Sequence, residues 1–130
     1  LPYYKDFNKE FEIQALEIER CGIFYKALLR VVLSKISSFL GALDPVASPN
    51  PQSIHSIVEL SYLNEKDKQE IFSLYKKLFY LYHKGLEFEL KGEKEIMNFI
   101  KEVWKGWKIL KQEQENILKK LTLAWSKDVN

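Results

Sequence analysis

The chain has a single cysteine, Cys21, among its 130 residues. No internal disulfide can form, which suits a reducing, cytoplasmic compartment. Arginine is almost as scarce: Arg20 and Arg30 stand against 18 lysines. The guanidinium fork is the usual grip on phosphates and base edges, so this scarcity argues against sequence-specific reading of DNA. The two histidines, His55 and His83, belong to no H-E-x-x-H motif, and neither follows a Glu at the Glu-x-x-His spacing. That removes the common zinc-hydrolase and di-iron bundle patterns. There is no glycine-rich phosphate loop, nucleophile elbow, Cys-x-x-Cys pair or Ser/His/Asp set. Apolar runs are short, well under the 18 or so consecutive residues of a membrane helix. Residues Leu1 to Lys9 are polar and aromatic, unlike a signal peptide. The first residue is not Met, which points to a trimmed chain or a piece of a longer one. No internal repeat is present, and the brief Phe88/Leu90 alternation is cut short by Lys91-Gly92.

What the chain does have is apolar and aromatic material in register. Hydrophobic residues make up 46% and charged residues 29%, the balance of an ordinary folded protein. A chain this long forms one domain, here 1–130, and buries roughly two-thirds of its unfolded surface. The net charge of +2 predicts neither a strong nucleic-acid binder nor a membrane-surface protein.

The clearest signal lies in the first third. Phe11, Ala15, Ile18, Gly22, Tyr25, Leu29, Val32, Ile36, Phe39 and Leu43 alternate 4-3 spacing, which keeps them on one face of a helix. No proline falls between Tyr3 and Asp44. The pattern predicts a helix from Asp6 or Asn8 to about Leu43, on the order of 50–55 Å long. Asp44-Pro45 is expected to stop it. A proline-rich loop follows over 44–52. A short helix from Gln52 or Ser53 to Leu63 then places Ile54, Ile57 and Val58 at packing spacing. Asn64 is expected to cap a third helix over Glu65 to Lys91, with Ile71, Phe72, Tyr75, Leu78, Phe79, Tyr82 and Leu86 on its apolar face. Gly92 would end this helix as its C′ residue, and Gly85 is a weak point within it. A fourth helix runs from Glu93 to about Ser126, with its seam at Ile96, Ile100, Val103, Trp107, Leu110, Gln114, Ile117, Leu121 and Ala124. The fold class is all-α: an antiparallel helical bundle of three long helices plus one short helix, with coiled-coil-like packing near a 20° crossing.

The first helix carries more apolar surface than its seam requires. Leu16, Ile23 and Ala27 fall on the back, while Ile13, Phe24, Leu28 and Val31 fill a flank. A helix apolar nearly all round is buried on all sides. Either residues 51–63 or another chain must cover this one. The leading reading is therefore a non-enzymatic interaction subunit, with an interface at Leu16, Arg20, Ile23, Ala27 and Val31, whose partner is a second copy or another protein. Arg20 and Arg30 would supply interhelical or intersubunit ion pairs.

Two other readings come from different classes. Lys94, Lys101, Lys105 and Lys108 form a stripe on the last helix with Trp104 beside it, an arrangement that could hold a nucleic-acid backbone and stack a base. Tyr25, Tyr75, Tyr82 and Trp107 could line a small-molecule site in the core. Cys21 reads as a small core residue, and Glu10, Glu12, Glu17 and Glu19 as the solvated flanks of the first helix. No catalytic residue, metal ligand or cofactor is expected, and no membrane association.

Overall fold

A computed structural model of the chain describes residues 24–127. The lead-in 1–6, the N-caps Asp6 and Asn8, the early seam from Phe11 to Gly22, Cys21, the four glutamates, and Leu16, Arg20 and Ile23 lie outside the described residues. Four helices follow in order: α1 (Phe24–Ala47), α2 (Ile54–Tyr62), α3 (Glu65–Glu89) and α4 (Glu93–Ser126). No strand occurs among the described residues, and the fold is an all-α bundle.

α4 matches its expected bounds. All nine of its seam positions, from Ile96 to Ala124, are buried. α3 begins as expected. Asn64 Oδ1 accepts the Asp67 N–H at 2.8 Å, and Asp67 Oδ2 reaches back to the Asn64 N–H at 3.5 Å. This reciprocal pair is a capping box with Asp in the usual Glu position.

Three expectations change. α1 does not stop at Leu43; it continues through Pro45 to Ala47. Pro45 falls in the last turn, where the donor it lacks costs one bond, to the carbonyl of the exposed Gly41. The Ser48 N–H closes the next turn on the Asp44 carbonyl at 2.9 Å, and buried Val46 holds the end down.

α3 ends at Glu89, with tight turns from Leu90 to Glu87 and from Lys91 to Phe88. Gly92 therefore does not close α3. Its carbonyl accepts the Ile96 N–H at 3.1 Å and opens α4. The apolar face of α3 is also rotated from its expected position. Leu74 is buried with Ile71 and Leu78, while Phe72 and Leu86 are 50% and 41% exposed.

The third change is the largest. α2 turns its isoleucines outward, Ile54 69% and Ile57 53% exposed, and buries Ser56 and Glu59 instead. Only Leu63, just past the helix end, is an apolar residue of this segment in the core.

The described residues form two compact units. The first holds residues 24–38 and 80–107. Its core is Leu28, Leu29, Val32, Leu33 and Ile36 against Ile96, Phe99, Ile100, Val103 and Trp107. Phe88 meets Phe99 edge-on at 6.0 Å, and Lys84 meets Glu102 at 2.9 Å, so α3 and α4 run antiparallel there. Arg30 pairs with Glu89 at 3.1 Å while Leu33 lies beside Gly85, so α1 and α3 are antiparallel too.

The second unit holds residues 39–79 and 108–127. Leu40, Leu43, Val46, Ile71, Leu74, Leu78, Leu110, Ile117 and Leu121 make its core. Lys77 with Glu113 at 3.5 Å and Asp67 with Lys120 at 2.8 Å show the same antiparallel sense for α3 and α4.

Gly85 is a contact and not a defect. A Cβ built there would lie 2.5 Å from Leu33 Cδ2 and 2.9 Å from Phe99 Cε2, whereas Gly106 has nothing within 4 Å. Helix propensity alone favours Ala over Gly by about 1 kcal/mol, but overpacking a core costs roughly 1–3 kcal/mol. Gly85→Ala is expected to destabilise the protein by about 1 kcal/mol, and Gly106→Ala to stabilise it by about 0.5–1 kcal/mol. Urea unfolding of the two variants checks this; equal effects of the same sign would contradict the close-contact account.

Candidate functional site

Sequence reasoning placed its leading surface on the back and flank of the first helix. Within α1 that surface divides. Leu28 is fully buried and joins the core of its unit, while Ala27 and Val31 stay half-buried and Ser34 is exposed. The helix thus buries one broad face, from Leu28 through Ile36, and leaves small apolar groups partly accessible beside it. Arg30, expected to make an interhelical or intersubunit pair, makes the interhelical one with Glu89 across exposed surface. Such a pair adds little stability but helps set the register of α1 on α3.

The lysine stripe is where the periodicity placed it. Lys94, Lys101, Lys105 and Lys108 are all exposed, and Trp104 is half-buried beside them. Other lysines on α3 and α4 are engaged. Lys84 holds Glu102, Lys77 holds Glu113, and Lys120 bridges Asp67 at 2.8 Å and Glu70 at 2.9 Å. The Asp67 carboxyl is held below its ordinary value, chiefly by the Lys120 hydrogen bond, and the same bond raises Lys120. None of the four stripe lysines forms an ion pair among the described residues. The face of α4 toward α3 carries these ion pairs, and the stripe lysines lie exposed without one among the described residues.

The four aromatic residues suggested as a pocket lining differ in burial. Trp107 is buried in the α4 seam, while Tyr25 and Tyr82 are half-buried. Tyr75 stacks edge-on against Phe79 at 4.9 Å, and its hydroxyl donates to Asp44 Oδ1. Burial and the Asp44 carboxylate together push the Tyr75 phenol up to about 12. Among the described residues one recess opens on α4 and another between α3 and α4. A shallow groove of about 560 Å³ is lined by Glu115, Leu118, Lys119, Thr122 and Leu123. A smaller recess of about 220 Å³ lies among Glu70, Ser73, Glu113, Asn116, Ile117 and Lys120. None of the four aromatic residues lines either one. No group of three metal-ligating side chains occurs among the described residues.

The arrangement that periodicity could not foresee is the inner face of α2. Glu59 is only 5% exposed. The Trp125 indole N–H donates to its carboxylate, and His55, one turn earlier, sits edge-on to the Trp125 ring at 5.6 Å. Glu59 Oε2 finds no donor among the described residues. Burial raises the Glu59 carboxyl above its ordinary value, and the Trp125 bond and the His55 charge offset part of that rise. Ser56 Oγ accepts the Asn50 N–H at 3.1 Å, tying the helix to its preceding loop. The one hint in the sequence was the i, i+4 pairing of His55 with Glu59, which a search for apolar spacing passes over. The arrangement brings a proton-binding group into contact with an aromatic donor but assembles no nucleophile and no metal site.

No family model matches the chain, and neither the curated proteins nor the solved structures give a significant match.

The Tyr75–Asp44 bond can be tested directly. Tyr75 ionises near pH 12, so the tyrosine absorbance change of the wild type should include one late-titrating phenol. Tyr75→Phe should remove that late component and leave the earlier ones. A late component that survives the substitution would assign it to another tyrosine.

Proposed function

We propose that the chain is a non-enzymatic helical interaction subunit, acting in the reducing cytoplasm and associating through the first helix with a second copy or another protein. The face concerned is the one the sequence singles out: Leu16, Arg20, Ile23, Ala27 and Val31. One observation carries the reading. Ala27 and Val31 stay partly accessible beside the fully buried Leu28, so the described part of this helix carries apolar surface beyond what the core of its unit takes up. Moving an apolar side chain fully out of water is worth roughly 1.5–3 kcal/mol, so three or four such residues would hold an assembly together.

Light scattering on a size-exclusion column tests this reading. The expected mass is a multiple of the 15.4 kDa chain, or a stable complex with a co-purifying protein. Val31→Glu should return the chain to a monomer with unchanged helical circular dichroism, since Val31 is not fully buried. A strict monomer at high concentration with no partner would overturn the reading.

A second reading is favoured by the unpaired stripe. Lys94, Lys101, Lys105 and Lys108 beside Trp104 suit the backbone of a nucleic acid, which would make the chain an accessory subunit of a nucleoprotein complex. Binding to single- and double-stranded nucleic acid should then weaken with salt, and Lys101, Lys105 and Lys108 changed together to Glu should abolish it. Binding that ignores salt, or survives that triple change, would remove this reading.

A further inference from the structure

The inner face of α2 is assembled against the ordinary rule. A nine-residue helix is too short to persist alone, so its contacts must hold it. Yet those contacts are polar, through Ser56 and Glu59, while Ile54 and Ile57 stay in water. The helix is also set off from its neighbours by non-helical segments. Before it lies the loop with Pro49 and Pro51, and after it Leu63 is extended at φ −100°, ψ 140°.

We propose that α2 is a proton-operated latch: it is docked against the end of α4 when Glu59 is protonated, and it loosens when Glu59 loses that proton. The geometry supplies the reason. Docking buries the Glu59 carboxyl with one oxygen lacking any donor among the described residues. A neutral carboxylic acid tolerates this, because it carries no charge to be desolvated. A carboxylate there is a buried, half-satisfied charge, and undocking returns it to water.

The groups acting on Glu59 are few. From α4 comes the Trp125 indole N–H, which donates in either protonation state; from α2 itself comes His55, whose positive charge favours the carboxylate. No Lys or Arg among the described residues acts on it; Lys127, just past the end of α4, lies over the Tyr62 ring instead, at 5.0 Å. The direction of the switch follows. Burial raises Glu59 in the docked state, so the docked state holds the proton more tightly than the free one. Docking is therefore strongest below the ordinary glutamate value and weakens as pH climbs through the raised one. This inference does not depend on association through the first helix, since it concerns only α2 and the end of α4.

Hydrogen–deuterium exchange on the full chain, corrected for intrinsic rates, reads the latch at residues 54–62. Protection there should fall about tenfold or more between about pH 4.5 and pH 8, while the α4 seam stays protected. Glu59→Gln, with the carboxyl replaced by a neutral amide, should keep its protection level across that range. His55→Gln should retain the fall. If the amide variant folds poorly, the wild type alone decides: the Trp125 indole N–H resonance, assigned by its loss in Trp125→Phe, should titrate with a midpoint above the ordinary glutamate value. Protection that does not change with pH, a fall that persists in Glu59→Gln, a fall abolished by His55→Gln, or an indole resonance that does not titrate would each overturn the proposal.

Discussion

The bundle depends on one stripe of side chains along α4. From Ile96 to Ala124 every seam position is buried, and each unit builds its core against its own part of that stripe. The stripe contains a single polar residue, Gln114, which is buried. Its Nε2 donates to the Phe39 carbonyl at 3.1 Å, while its Oε1 finds no donor among the described residues. A leucine there would bury more apolar area and leave nothing unsatisfied. What the amide adds is direction: it can meet that carbonyl only when α1 and α4 are in one register. A buried polar residue in an apolar seam is the best-attested means of fixing register, at some cost in stability. In the other unit the same task falls to shape, because only a residue without a Cβ at position 85 lets Leu33 and Phe99 close over α3.

The parts of this architecture that were legible in the sequence are those where one signal acts alone. α4 is long, its apolar residues keep strict 4-3 spacing, and nothing competes, so bounds and seam both hold. Asn64 could be read because a capping side chain three residues before an acid has few other uses. α3 was harder. Its apolar positions span more than half the wheel, and large aromatics such as Phe72 draw the expected face toward themselves. The true centre runs through Leu74 and Gly85. A glycine contributes nothing to a hydrophobic count, so the closest helix approach in that unit looked like a weak point. The end of α1 was misplaced for a related reason: proline forbids a helix interior but not a last turn.

The candidate surfaces divide along the same line. The lysine stripe could be read because exposure and charge follow directly from helical spacing. It gains meaning from the contrast with its neighbours. Lys77, Lys84 and Lys120 all face acids across α3 and α4, whereas the four stripe lysines have no ion pair among the described residues. Exposed pairs of this kind contribute about 0–1 kcal/mol each, too little to drive folding. Their effect is to assign one face of α4 to α3 and leave the opposite face positive.

α2 shows where hydrophobic periodicity fails as a guide. Spacing identifies which residues share a face, but not which face a short helix buries. For a long helix the apolar face wins, because ten or more side chains outweigh any polar contact. In nine residues the competition is close. Two isoleucines left in water forgo roughly 3–6 kcal/mol of burial. Against that stand a Trp125 hydrogen bond, a His55–Trp125 ring contact, a Ser56 tie to the loop and the burial of Leu63. Terms this nearly balanced make orientation sensitive to the charge on one carboxyl, and Glu59 is the ionisable side chain that the inner face of α2 buries. The same near balance leaves Ile54 and Ile57 outside: the short helix satisfies Trp125 and not its own apolar side.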